Sequence, residues 1–251
     1  MSLRKKRNKT KEKEKEKVVE RYAFPLIIET PKLLEVLEPK ILAEGQKILS
    51  VVTRHMPSKR KDSFKRMMTT LSPMMDQIQH IVIEDRVCSG WRQSAQLVVD
   101  RRKEVTGYYV WLLDDDDECT ASHLPLILER VRNLYDVDIV IVKAWMQRHG
   151  IVPVPEYWNP HDIFKFVACS IGMPCFILKN ELFQRHVLDM PTADRWVDWQ
   201  LFSSVQNGIK EYNYKWMFLD LLVMRQATKL FGTDEKVNRD DPEFKILYGG
   251  E

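Results

Sequence analysis

Between Ile48 and Val142 the chain alternates short apolar runs with segments of helical spacing, and few folds accommodate that order. Ile48 to Thr53, His80 to Ile83, Tyr108 to Leu113 and Asp138 to Val142 have strand length. Residues 61–71, 91–104 and 121–134 lie between them, with apolar side chains three and four apart. This order predicts an α/β domain, with a mostly parallel central sheet flanked by helices. Phe64, Met67, Met68 and Leu71 share one face of the first helix and are expected to be core packing. Beyond residue 150 the pattern loosens, with an apolar run at 171–178, a helix near 197–207 and a strand near 216–224.

The polar residues that follow each strand carry the chemistry. The first strand ends in Thr53-Arg54-His55, the second in Glu84-Asp85, and the third in Asp114-Asp115-Asp116-Asp117. In a parallel sheet these ends share one edge, where open α/β sheets bind ligands. Carboxylates packed this closely repel one another and raise each other's pKa. A hard divalent cation, Mn²⁺ or Mg²⁺, is the simplest remedy. A cation beside an acidic pair and a Thr-Arg loop suits a nucleoside diphosphate, whose two phosphates the metal would bridge.

With these residues in place, the chain resembles family 2 glycosyltransferases of the GT-A fold (nucleotide-diphospho-sugar transferases). The resemblance rests on strand–Thr-Arg, strand–Glu-Asp, and Gly107 to Asp117, where Leu113-Asp114-Asp115-Asp116-Asp117 matches the family's metal motif. It implies a single GT-A (Rossmann-like) domain over 47–232, with a nucleotide-binding half at 47–143 and an acceptor half at 144–232. By the same resemblance Asp116 ligates the metal, and Asp114 sits by the ribose or a metal-bound water. Asp85 contacts the base, Thr53 and Arg54 line the nucleotide pocket, and Asp115 can reach the ribose. Read from the sequence alone, Asp115 and Asp117 are otherwise expected to be solvated or to cap the helix that follows.

The family's acceptor base falls on a later helix, and Trp196-Val197-Asp198-Trp199 fits that place with Asp198 as general base. Val197 stands where the family carries Glu. Asp194, one turn earlier, is the rival. Trp196 and Trp199 are each open to sugar stacking or to core packing. The segment Cys169 to Leu178 resembles the wall of the sugar subsites, with Lys179 where the family often has Arg. No Gln-x-x-Arg-Trp motif of processive synthases occurs, so transfer of a single sugar is implied, from a UDP-sugar donor. The acceptor stays open among saccharide, lipid-linked sugar, protein and modified DNA base. Two alternatives remain: a sugar-phosphate nucleotidyltransferase, disfavoured because Thr53 to Lys61 holds no Gly, and an inactive binding module on the same fold.

The net charge of +3 conceals an asymmetry. Residues 1–17 carry nine Lys/Arg and three Glu, a local +6, which leaves −3 for the rest. Residues 1–20 read as a solvated basic tail, or as a weak arm for a polyanion or a membrane surface. Residues 21–46 read as an N-terminal extension and 233–251 as a polar C-terminal tail. The four cysteines lack CxxC spacing, so reduced thiols are expected rather than a zinc site. No apolar stretch is long enough to span a bilayer and no secretory h-region is present, so the expected location is the cytoplasm.

Overall fold

The computed structural model describes residues 42, 44–88, 90–120, 123–133, 137–146, 150–153, 171–192 and 197–226. The expectations for the basic tail, most of the N-terminal extension, Asp194, Trp196 and the C-terminal tail lie outside these residues. The described chain follows the alternation read from the sequence. Strand β1 (Leu49–His55) leads to α1 (Lys61–Leu71), β2 (Ile78–Glu84), α2 (Trp91–Arg101) and β3 (Tyr109–Asp114). Then come β4 (Asp117–Cys119), α3 (Leu124–Asn133), β5 (Ile139–Met146), β6 (Gly150–Val152), β7 (Phe176–Lys179), α4 (Asn180–His186), α5 (Val197–Tyr212) and β8 (Trp216–Gln226).

The strands form one sheet in the order β2-β1-β3-β7-β5-β8-β4, with β6 paired to β5. Parallel pairing joins β2, β1 and β3, and again β5 and β8. β7 enters antiparallel between β3 and β5, so the two halves meet across a reversed strand. β1 is buried along its whole length, as a strand covered on both faces must be, and its run Leu-Ser-Val-Val-Thr supplies the apolar and small side chains for that. Gly107, just before β3, is required by close approach. Its N–H donates to Ser50 Oγ at 2.8 Å, and a Cβ there would stand 2.6 Å from the Ser50 backbone nitrogen.

Connectivity forces the sheet to curl. Only Asp115 and Asp116 separate β3 from β4, so the two strands meet within roughly 11 Å, the reach of three extended residues. Along the sheet, however, β7, β5 and β8 lie between them. The sheet must bend back until its β4 edge stands beside the end of β3. The four aspartates therefore sit at a seam where the β4 edge of the sheet comes up to the end of β3, with α1 packed against β4 beside it. None of the described helices is long and apolar enough to cross a membrane.

Candidate functional site

The ends of β1, β2 and β3 lie in register on one edge, as the strand order implies: Arg54 pairs with Ile83 on one side and Asp114 on the other. Alternation along β1 divides its last residues between two faces. Thr53 and His55 turn toward α1. The Thr53 hydroxyl is fully buried, 2.9 Å from His80 Nε2 and close to Met67 Sδ, and the His55 ring stacks on Phe64. Arg54 turns to the opposite face. Its guanidinium grips Asp114, with Nε 2.7 Å from Oδ1 and Nη2 on the same oxygen.

Asp115, Asp116 and Asp117 are all buried, which corrects the expectation of solvated or helix-capping roles for Asp115 and Asp117. The reason is the seam: between β3 and β4, Asp115, Asp116 and Asp117 are enclosed by the ends of β1 and β3, by α1 and by Arg60. Asp115 accepts from His55 Nδ1 at 2.8 Å, from the Met56 N–H and from Arg60 Nη1. The same Arg60 nitrogen reaches Asp116 Oδ1 at 2.8 Å. Asp117 opens β4 and accepts the Asp114 N–H, closing the turn on itself. Next in sequence, Glu118 is held between Arg66 and Arg225.

These arginines answer much of the charge problem that the aspartates pose. Burial works against charge on both Arg54 and Arg60, yet the facing carboxylates outweigh it and raise both pKa values. The neutralisation is incomplete. Asp117 is driven well above the ordinary carboxylate range, first by burial and then by Asp116 and Asp114. Positive charge is still short at this turn.

Asp198 stands in the first turn of α5 and faces the Arg54 side of the sheet. Burial raises its pKa, Arg54 pulls it back, Asp114 pushes it up again, and the N–H groups of Asp198 itself and Met173 favour its ionised form. The Met173 contact follows from β3. Trp111, fully buried, donates its indole N–H to the Pro174 carbonyl at 2.9 Å and holds the 173–175 turn against the strand. Arg54 therefore grips Asp114 on β3 and also feels the charge of Asp198 on α5.

Other expected residues fall as follows. Asp85 is buried directly after β2, its N–H bonded to the His55 carbonyl. Trp199 is half-buried and packs toward Phe202. Of the described part of the 169–178 segment, Met173 reaches Asp198 through its N–H. β7 runs antiparallel to β3, which carries Lys179 to Tyr109 at the far end, beside Asp138. Lys179 therefore does not wall the crevice. His55 closes β1. Arg60, Arg66, Arg225 and Glu118 were missed, and the basic stretch Lys59 to Arg66 was the available signal for two of them. Cys88, Cys119 and Cys175 are free thiols, as expected.

The donor set suits a hard cation, because it consists of carboxylate oxygens with unbalanced negative charge. Among the described residues no cluster of three or more acidic, His or Cys side chains is arranged to hold an ion alone. Asp114, with its side chain 26% exposed, is the opening. A cation held by one or two carboxylates and completed by substrate phosphates matches this arrangement, as Mg²⁺ sites commonly do.

The fold is that of the GT-A nucleotide-sugar transferases. Residues 1–349 of S. aureus TarS in complex with UDP-GlcNAc superpose with a TM-score of 0.52 at 14% identity, covering 74% of this chain and 60% of that one. The mannosyltransferase PcManGT from Pyrobaculum calidifontis, in complex with GDP-Man and Mn²⁺, gives 0.50 at 13% identity, covering 81% and 63%. The chain spans less than two thirds of either structure's length. No protein-family model matches it, and no curated protein does.

Proposed function

We propose that the protein is a metal-dependent, inverting glycosyltransferase that moves one sugar from a nucleotide-diphosphate donor, a UDP-sugar by preference, to a hydroxyl acceptor. The observation that carries this reading is the Arg54–Asp114 pair where β1 and β3 end on a GT-A sheet edge, within electrostatic reach of Asp198 in the first turn of α5. Both solved structures compared above hold nucleotide-sugars, which supports the donor class.

In this reading Asp85 faces the base, Arg54 and Asp114 line the diphosphate, and Thr53 and Asp115 brace the pocket from beneath. Asp114 and Asp116 would hold Mn²⁺ or Mg²⁺, which supplies positive charge against the leaving diphosphate. Asp198 takes the proton of the acceptor hydroxyl as general base. That oxygen bonds to the anomeric carbon as the bond to the diphosphate breaks on the opposite face. The Met173 N–H and Arg54 favour the ionised form of Asp198 inside an otherwise protonating burial.

Screening UDP- and GDP-sugars for hydrolysis, with Mn²⁺ and with chelator, tests the reading. A metal-dependent release of nucleoside diphosphate that Asp116→Ala abolishes is expected. Release that survives both chelation and Asp116→Ala would remove the metal assignment. A nucleotidyltransferase would release pyrophosphate from a nucleoside triphosphate instead.

A further inference from the structure

Arg54 uses its three guanidinium nitrogens unequally. Nε and Nη2 both reach one oxygen of Asp114, Oδ1, while Nη1 is buried and without a partner among the described residues. Asp114 mirrors this, since Oδ2 accepts nothing from a described residue and its side chain is partly exposed. Arginine–carboxylate pairs commonly meet fork to fork, two N–H groups on two oxygens. The side-on grip here leaves one donor on Arg54 and one acceptor on Asp114.

A buried polar N–H without a partner has lost its hydration with nothing in exchange, and the loss is greater when the group is charged. A spare carboxylate oxygen and a spare guanidinium N–H on one ion pair are together the complement of a cation–anion pair. The hard cation goes to the carboxylate and an anionic oxygen to the guanidinium. A bare phosphate finds little net positive charge, because Arg54 is already faced by Asp114 and Asp198. A phosphate that arrives with a divalent cation meets both leftovers at once.

The geometry points to Arg54 as the residue that selects the cation-bound diphosphate: through Nε and Nη2 it fixes Asp114 with Oδ2 presented, and through Nη1 it takes a phosphate oxygen. This deepens the nucleotide-sugar reading and rests on it. It assigns recognition of the diphosphate to Arg54 and leaves recognition of the nucleoside elsewhere.

The test is calorimetric titration of the full chain with UDP, GDP, uridine and guanosine, each with Mn²⁺. Wild type, Arg54→Lys and Arg54→Gln are compared, with free Mn²⁺ followed by electron paramagnetic resonance. Arg54→Lys keeps the charge but not the fork, so it guards against a variant that fails to fold, and thermal unfolding checks both. The diphosphate that wild type binds is expected to weaken at least about tenfold in both variants, the loss of one charged hydrogen bond. The matching nucleoside is expected to keep its affinity. Equal weakening of nucleoside and diphosphate would mean that Arg54 merely supports the crevice, and unchanged diphosphate affinity would mean that water satisfies Nη1. Either result overturns the inference while the nucleotide-sugar reading stands. Absence of binding by both diphosphates in wild type overturns the two together.

Discussion

Arg54 and Asp114 are register partners on β1 and β3, and their side chains close on one another at 2.7 Å where the parallel half of the sheet ends. Asp198 on α5 also raises the pKa of Arg54, so the proposed donor and acceptor halves of the site are coupled through one arginine. What happens at one carboxylate is therefore felt at the other.

Asp198→Asn tests the acceptor half. Nucleotide binding is expected to persist, while transfer falls by at least about a hundredfold, the usual contribution of a general base. Because burial raises the Asp198 pKa, transfer in wild type rises with pH along an acid limb displaced above the ordinary carboxylate value. A pH–rate profile whose limb lies at the unperturbed position, or an Asn variant of normal turnover, would move the base elsewhere.

Glu118 tests the seam. Glu118→Gln leaves Arg66 and Arg225, both partly exposed, facing a neutral amide, and the loss of hydrogen bonds to a charged group costs about 1–3 kcal/mol. The expected result is a lowered urea midpoint. A midpoint equal to that of wild type would show that the arginines find water instead.

Much of the fold was legible because its signals are local. Short apolar runs and period-3.6 patterns announce β1 to β3 and their helices without reference to anything distant. The run Phe176-Ile177-Leu178 announces a strand but not its direction, and β7 reverses the sheet, which carries Lys179 away from the site. At the site the sequence shows acids without their partners. Asp114 to Asp117 stand out as a block, whereas Arg60 acts from beyond β1 and Arg225 lies 107 residues from Glu118. Nothing local joins them. Burial of Asp115 and Asp117 follows from sheet curl, which is a property of strand order and not of any segment.

His80 gives a stability test independent of catalysis. Burial lowers its pKa to about 4 from 6.5, and Thr53 Oγ1 lies 2.9 Å from its Nε2. A histidine held neutral in the fold stabilises fully above its unfolded pKa, and that contribution is lost as pH falls from about 6.5 toward 4. The loss is of the order of 2–3 kcal/mol. His80→Gln, which can still bond Thr53, is expected to flatten the fall in stability across that window. An identical pH dependence in the variant would assign the effect to other groups.

The most direct test of the central claim is calorimetric titration of the wild-type chain with UDP and GDP, with Mn²⁺ and then with chelator. The expected result is one diphosphate bound with Mn²⁺ present, at least about tenfold more weakly once it is removed, as loss of a charge-assisted contact requires. Absence of binding by both diphosphates in the presence of Mn²⁺ would contradict the account.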